Sequence, residues 1–205
     1  MNEKRMIWTA QLVSILFTPF YLPLIGLTIL FLFSSLSFLP WGYKFSVLFI
    51  VYIFTVLLPT LLIRLYRHYQ GWNLIELGRK ERRMVPYVIS IFCYFLCYYI
   101  MSRYRMPHIM GNILITALFI QVLCAIVNVW WKISTHTAAI GGVAGALISF
   151  SILFFFNPIW WFCWLMLLSG MVGTARMVLR QHSLSQVVTG FLLGFFCSFF
   201  TILLF

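Results

Sequence analysis

The stretch "ARMVLRQHSLSQVVTG", residues 175–190, places Arg176, Arg180, His182 and Gln186 between two long apolar runs. Guanidinium forks hold phosphate oxygens bidentately, and a neutral imidazole can attack phosphorus or move a proton. Two further polar islands carry related side chains. "GRKERRMVP" (78–86) supplies Arg79, Lys80, Arg82 and Arg83, and "KISTH" (132–136) supplies Lys132, Ser134, Thr135 and His136. Lys132 and His136 are four apart and share a face if one helix runs through both. Such a set suits phosphoryl transfer without metal. One histidine attacks in line, the other protonates the departing alkoxide, and fixed cations hold the charge on the equatorial oxygens.

Each island also has a plainer use. Basic residues at 79–83 anchor anionic headgroups in many membrane proteins, His136 could bond between helices, and His68 and His108 read as surface histidines. The coincidence of two histidines and several arginines on one side is what favours chemistry.

Positioning them requires a turn. On one continuous helix Arg176 and His182 would lie about 120° apart around the axis. "SLSQ" (Ser183 to Gln186) has the spacing of a capping box, so a new helix starts at Ser183 with His182 at its entrance. A helix N-terminus is a natural phosphate seat. Gln186 is then either the capping partner of Ser183 or the group that orients His182.

The rest of the chain supplies the frame. It has 205 residues, 63% hydrophobic, 20% aromatic and 8% charged, with a mean hydropathy of +1.03. Apolar runs of about 20 residues recur from end to end, each enough for a helix to cross roughly 30 Å of hydrocarbon. The composition implies an all-α, polytopic transmembrane bundle, a single domain over 1–205 with six to seven spans: 7–37, 45–66, 85–102, 109–131, 134–155, 158–179 and 184–205. The first is overlong and carries Pro19 and Pro23, so a kink or a re-entrant break is expected there. Asn73 to Glu76 has capping-box spacing for a short interfacial helix in the longest polar loop. "MNEKRMIW" does not read as a cleavable signal, because the apolar run is too long and no A-x-A-like site follows.

The net charge is +11, from 14 Lys+Arg against 3 Asp+Glu, and every acid is a glutamate. Without aspartate there is no Ser-His-Asp triad, no paired-Asp hydrolysis and no carboxylate-rich Mg²⁺ or Ca²⁺ cage. No metal or other cofactor is expected. The cationic excess suits anionic lipids rather than nucleic acid. Alternating spans put the loops at 64–83, 130–136 and 180–183 on one side, together with the N-terminus if the first span crosses. That side holds eleven Lys+Arg against three opposite, which the positive-inside rule makes cytoplasmic. Seven of the eleven belong to the three islands, and the remaining split is four against three. Gly141-x₃-Gly145 and Gly190-x₃-Gly194 permit close helix packing. The five cysteines lie in apolar runs and read as buried thiols without disulfide or zinc spacing.

The islands carry a family resemblance. "Arg176-MVLRQ-His182-SLS-Gln186" resembles the third signature of type-2 phosphatidic-acid phosphatases, Ser-Arg-x₅-His-x₃-Asp. "Ile133-Ser134-Thr135-His136" resembles the second, Pro-Ser-Gly-His, and "Lys80-ERRMV-Pro86" is a loose version of the first, Lys-x₆-Arg-Pro. The resemblance covers about 78–194 and is to divergent, Bacteroidota-like members. It implies a metal-independent lipid-phosphate phosphatase of a bacterial inner membrane, acting through a phosphohistidine. His182 would be nucleophile, His136 leaving-group acid, and Arg176, Lys80 and Arg83 phosphate ligands, with Arg79, Lys132, Ser134 and Thr135 beside them. Family substrates are phosphatidic acid, phosphatidylglycerophosphate, polyprenyl diphosphates and lipid A. Ile133, Thr135, Ala175 and Gln186 depart from the signatures. The Gln186 departure supports an alternative, a non-catalytic relative that binds or moves an anionic phospholipid.

Overall fold

The computed structural model describes residues 3–33, 35–71, 84–104 and 106–204. The described residues are overwhelmingly helical, and six helices are long and apolar enough to cross a membrane: Trp41–Tyr69, Met84–Arg103, His108–Trp130, Thr135–Phe154, Ile159–Val178 and Leu184–Leu204. The protein is an all-α polytopic bundle. Six of the expected spans recur with ends shifted by a few residues.

The first expected span breaks. Helix α1 (Glu3–Leu16) stops before a 3-10 turn at Pro19–Tyr21, and α2 (Leu22–Phe33) follows. Pro19 and Pro23 cannot donate backbone hydrogen bonds, so the ladder cannot run through them. The interfacial helix expected at Asn73–Glu76 lies outside the described residues.

The described chain forms two compact units. One contains Pro23–Trp130. In it α3 (Trp41–Tyr52) passes through a π-turn at Ile53–Leu57 into α4 (Leu58–Tyr69). Pro59 explains the turn: it has no N–H for the Thr55 carbonyl, so the helix widens locally. Lys44 is a buried residue of α3. Its Nζ donates to the Ser37 carbonyl at 2.7 Å and lies 4.6 Å from the Trp41 ring centre. Helices α5 (Met84–Arg103) and α6 (His108–Trp130) pack together around buried Tyr94, Cys93, Cys97 and Cys124.

The other unit joins Met1–Leu22 to Trp131–Phe205. Its centre is the pair α7 (Thr135–Phe154) and α9 (Leu184–Leu204), with α8 (Ile159–Val178) packed on both and α1 on α8. The glycine pairs let the α7 and α9 backbones touch. A Cβ at Gly141 or Gly145 would run into the carbonyls of Phe191 or Phe195, and one at Gly194 into that of Ala138. Ser149 Oγ adds a 3.0 Å bond to the Phe199 carbonyl. Because the obstructing atoms are backbone, Gly194→Ala should destabilise the protein by about 1–3 kcal/mol. Thermal unfolding in detergent measures this, and an unchanged midpoint would show that the helices can part without cost. Two cysteines depart from expectation, Cys163 and the half-buried Cys197. Cys163, on α8, is exposed.

Candidate active site

The site is built at one end of the α7–α9 unit. Helix α8 ends where the sequence required a turn. Arg180 adopts a left-handed φ of 52°. The Gln181 N–H donates to the Arg176 carbonyl at 3.1 Å, and the Arg180 N–H to that of Met177 at 2.8 Å. These two bonds are a Schellman closure, with Arg180 in the position usually held by glycine. Arg180 is exposed, and its contribution here is backbone geometry. A left-handed conformation costs a non-glycine residue about 1–2 kcal/mol. Arg180→Gly should therefore raise the unfolding midpoint by roughly 2–4 °C and leave any phosphate release unchanged. A loss of activity would instead make the Arg180 side chain a ligand.

Past the turn, α9 begins with a complete capping box. Gln186 N–H donates to Ser183 Oγ at 3.4 Å, and Ser183 N–H donates to Gln186 Oε1 at 3.2 Å. The same Oε1 stands 3.2 Å from His182 Nδ1. The two roles open to Gln186 are thus filled at once, by one oxygen. A backbone N–H can only donate, so Ser183 fixes which end of the amide is oxygen. Facing that oxygen, His182 must carry its proton on Nδ1, which leaves the lone pair on Nε2.

Helix α7 brings the second histidine. Ser134, fully buried, is its N-cap, with extended backbone at φ −87° and ψ 106°. Its hydroxyl accepts from Thr137 N–H at 3.5 Å. Its own N–H donates to the Gln186 carbonyl at 3.4 Å, tying the His136 island to the first turn of α9. The helix does not continue back to Lys132, which lies half-buried in the connection after α6. Lys132 and His136 therefore do not share a helix face. Thr135 opens α7, and half-buried His136 follows it.

These elements converge. Arg176 and His182 both lie near the His136 ring, and the Ser14 carbonyl is beside it. His136 Nδ1 and Arg176 Nε are each buried with no hydrogen-bond partner among the described residues. Buried polar atoms of that kind call for a ligand or water. Arg176 Nη1 donates to Ser14 Oγ at 2.6 Å. Ser14 was not among the expected site residues, and its one signal in the sequence is a hydroxyl within the apolar run "LVSILF". Lys80, Arg83 and Arg79 lie outside the described residues.

Fold and site together define a multi-pass membrane protein with a histidine–arginine centre at helix ends. Residues 129–205 match the family model of the PAP2 superfamily, and it is this superfamily that the last part of the chain is similar to. The matched segment carries the second and third signature regions and excludes α1 and the 78–86 island. No curated protein and no solved structure matches the chain.

Proposed function

We propose that the protein is a metal-independent membrane lipid-phosphate phosphatase. The supporting observation is the convergence of His136, Arg176 and His182, with the His182 tautomer set for attack through Nε2. In the first step Nε2 forms a bond to phosphorus as the ester P–O bond breaks. His136 passes a proton to the departing alkoxide, and the lipid alcohol leaves. In the second step His136, now neutral, takes a proton from water as its oxygen attacks phosphorus. The P–N bond breaks and inorganic phosphate is released. Arg176 balances the charge on the equatorial oxygens, with Lys132 as a further phosphate ligand. Thr135 and Ser134 set the approach of α7 to the headgroup. A site at span ends takes amphiphiles whose phosphate sits at the interface, each buried CH₂ of the tail adding about 0.8 kcal/mol of binding. A bacterial inner membrane is the setting this reading implies.

The test is phosphate release from a lipid phosphomonoester by purified, detergent-solubilised protein. Release should survive EDTA, because the proposed steps use nitrogen bases and cationic side chains alone. Vanadate, which mimics the in-line transition state, should block it. Strict Mg²⁺ dependence would overturn the mechanism. The rival reading, a non-catalytic lipid-binding relative, is supported by the neutral Gln186 and requires lipid binding with no release.

A further inference from the structure

We propose that Ser14 is a positioning residue of this site, fixing the Arg176 guanidinium for phosphate without cancelling its charge. The inference rests on the phosphatase reading for its substrate, but not for its phosphate-binding geometry.

Serine and threonine hydroxyls in apolar helices ordinarily bond back to a carbonyl three or four residues earlier. This chain follows that habit widely. Thr9 bonds to Met6 at 2.9 Å, Thr55 to Val51 at 2.8 Å, Ser90 to Pro86 at 2.6 Å and Ser169 to Met166 at 2.8 Å. Ser14 is used differently. Its Oγ accepts from Arg176 Nη1, 162 positions away in sequence. The geometry around it is built for the contact: Ala10 and Ser14, one turn apart, are buried residues of α1. Their small side chains let α1 come close to α8.

The choice of a hydroxyl matters chemically. An arginine at a membrane helix end is commonly paired with an acid, and a carboxylate there would neutralise the charge that phosphate needs. The chain has no aspartate, and its glutamates are Glu3, Glu76 and Glu81. A serine oxygen orients one arm of the guanidinium and leaves the positive charge intact. Nε, buried with no partner among the described residues, then remains for a phosphate oxygen. The same residue's carbonyl lies beside His136, so one turn of α1 steadies both the phosphate-binding and the proton-donating side chains. Helix α1 lies outside the residues matched to the superfamily.

The experiment compares wild type with Ser14→Ala, Ser14→Thr and Ser14→Cys, the last nearly isosteric but a weak acceptor. Hydrogen bonds to charged groups predict that Ser14→Ala and Ser14→Cys lower kcat/KM for a lipid phosphomonoester by roughly ten- to hundredfold, mainly through KM. Ser14→Thr should stay near wild type. In an Arg176→Ala background, Ser14→Ala should add no further loss, since its effect runs through the arginine. Thermal stabilisation by vanadate supplies a readout independent of turnover, and should be weakened in Ser14→Ala and Ser14→Cys. Wild-type kcat/KM in both variants, or an equal loss in the Arg176→Ala background, would overturn the proposal. If wild type is stabilised by vanadate but releases no phosphate, and Ser14→Cys loses that stabilisation, the positioning role stands and the phosphatase reading falls. Wild type unaffected by vanadate would overturn both.

Discussion

Replacing His182 with alanine should lower phosphate release by about 10⁶-fold, the scale set by removing a nucleophile in other covalent enzymes. The fold should survive, because the capping box at the start of α9 uses Ser183 and Gln186 and does not pass through the imidazole. Rapid quenching with a radiolabelled lipid phosphate should trap acid-labile phosphate on the wild-type chain and none on the variant. His136→Ala should behave differently. General acid catalysis contributes about 10²–10⁴-fold, and only when the leaving group needs a proton. An amphiphilic aryl phosphate, whose phenolate departs unaided, should therefore restore much of the His136→Ala rate while doing nothing for His182→Ala. Retained turnover in His182→Ala would remove the phosphohistidine from the mechanism. Equal rescue of both variants would remove the division of roles between the histidines.

That division was legible in the sequence to an uneven degree. The turn between Arg176 and His182 follows from helix periodicity and the "SLSQ" spacing, both local properties, and the structure places the turn there. The glycine pairs were readable for the same reason, since small residues four apart mark a contact whoever the partner is. Lys132 misled because residue spacing implies a shared face only where the helix is continuous, and Ser134 begins a new one. The break after Leu16 was signalled by its prolines, but its consequence was not. Ser14 becomes part of the site through a bond to Arg176, and no local pattern encodes a partner so far along the chain.

Gln186 gives the sharpest test of the remaining chemistry. In serine proteases, exchanging the orienting aspartate for an amide costs about 10⁴ in turnover, because the amide stabilises the wrong imidazole tautomer. The same outcome does not follow here. Ser183 N–H holds the Gln186 oxygen, not its NH₂, toward His182 Nδ1. The tautomer is therefore correct, and what is missing is negative charge. Gln186→Ala should remove the orientation and the half of the capping box its side chain makes, while the bond from the residue-186 N–H to Ser183 Oγ stays, lowering turnover by between about 10² and 10⁴ for a stability loss of about 0.5–1.5 kcal/mol. Thermal unfolding beside steady-state rates separates the two effects. Gln186→Glu keeps the side-chain length and the capping-box pattern while adding the charge, and Gln186→Asp restores the family residue. Either should keep or raise turnover, by roughly tenfold for each 1.4 kcal/mol of added stabilisation of the charged ring. A carboxylate also favours the protonated imidazole in the resting enzyme, so the acid limb of the rate profile should move to higher pH in both variants. That shift distinguishes an electrostatic gain from better packing, which would raise the rate without moving the limb. A Gln186→Ala enzyme as fast as wild type would end the orienting role and leave the 3.2 Å contact with His182 as a by-product of the helix cap.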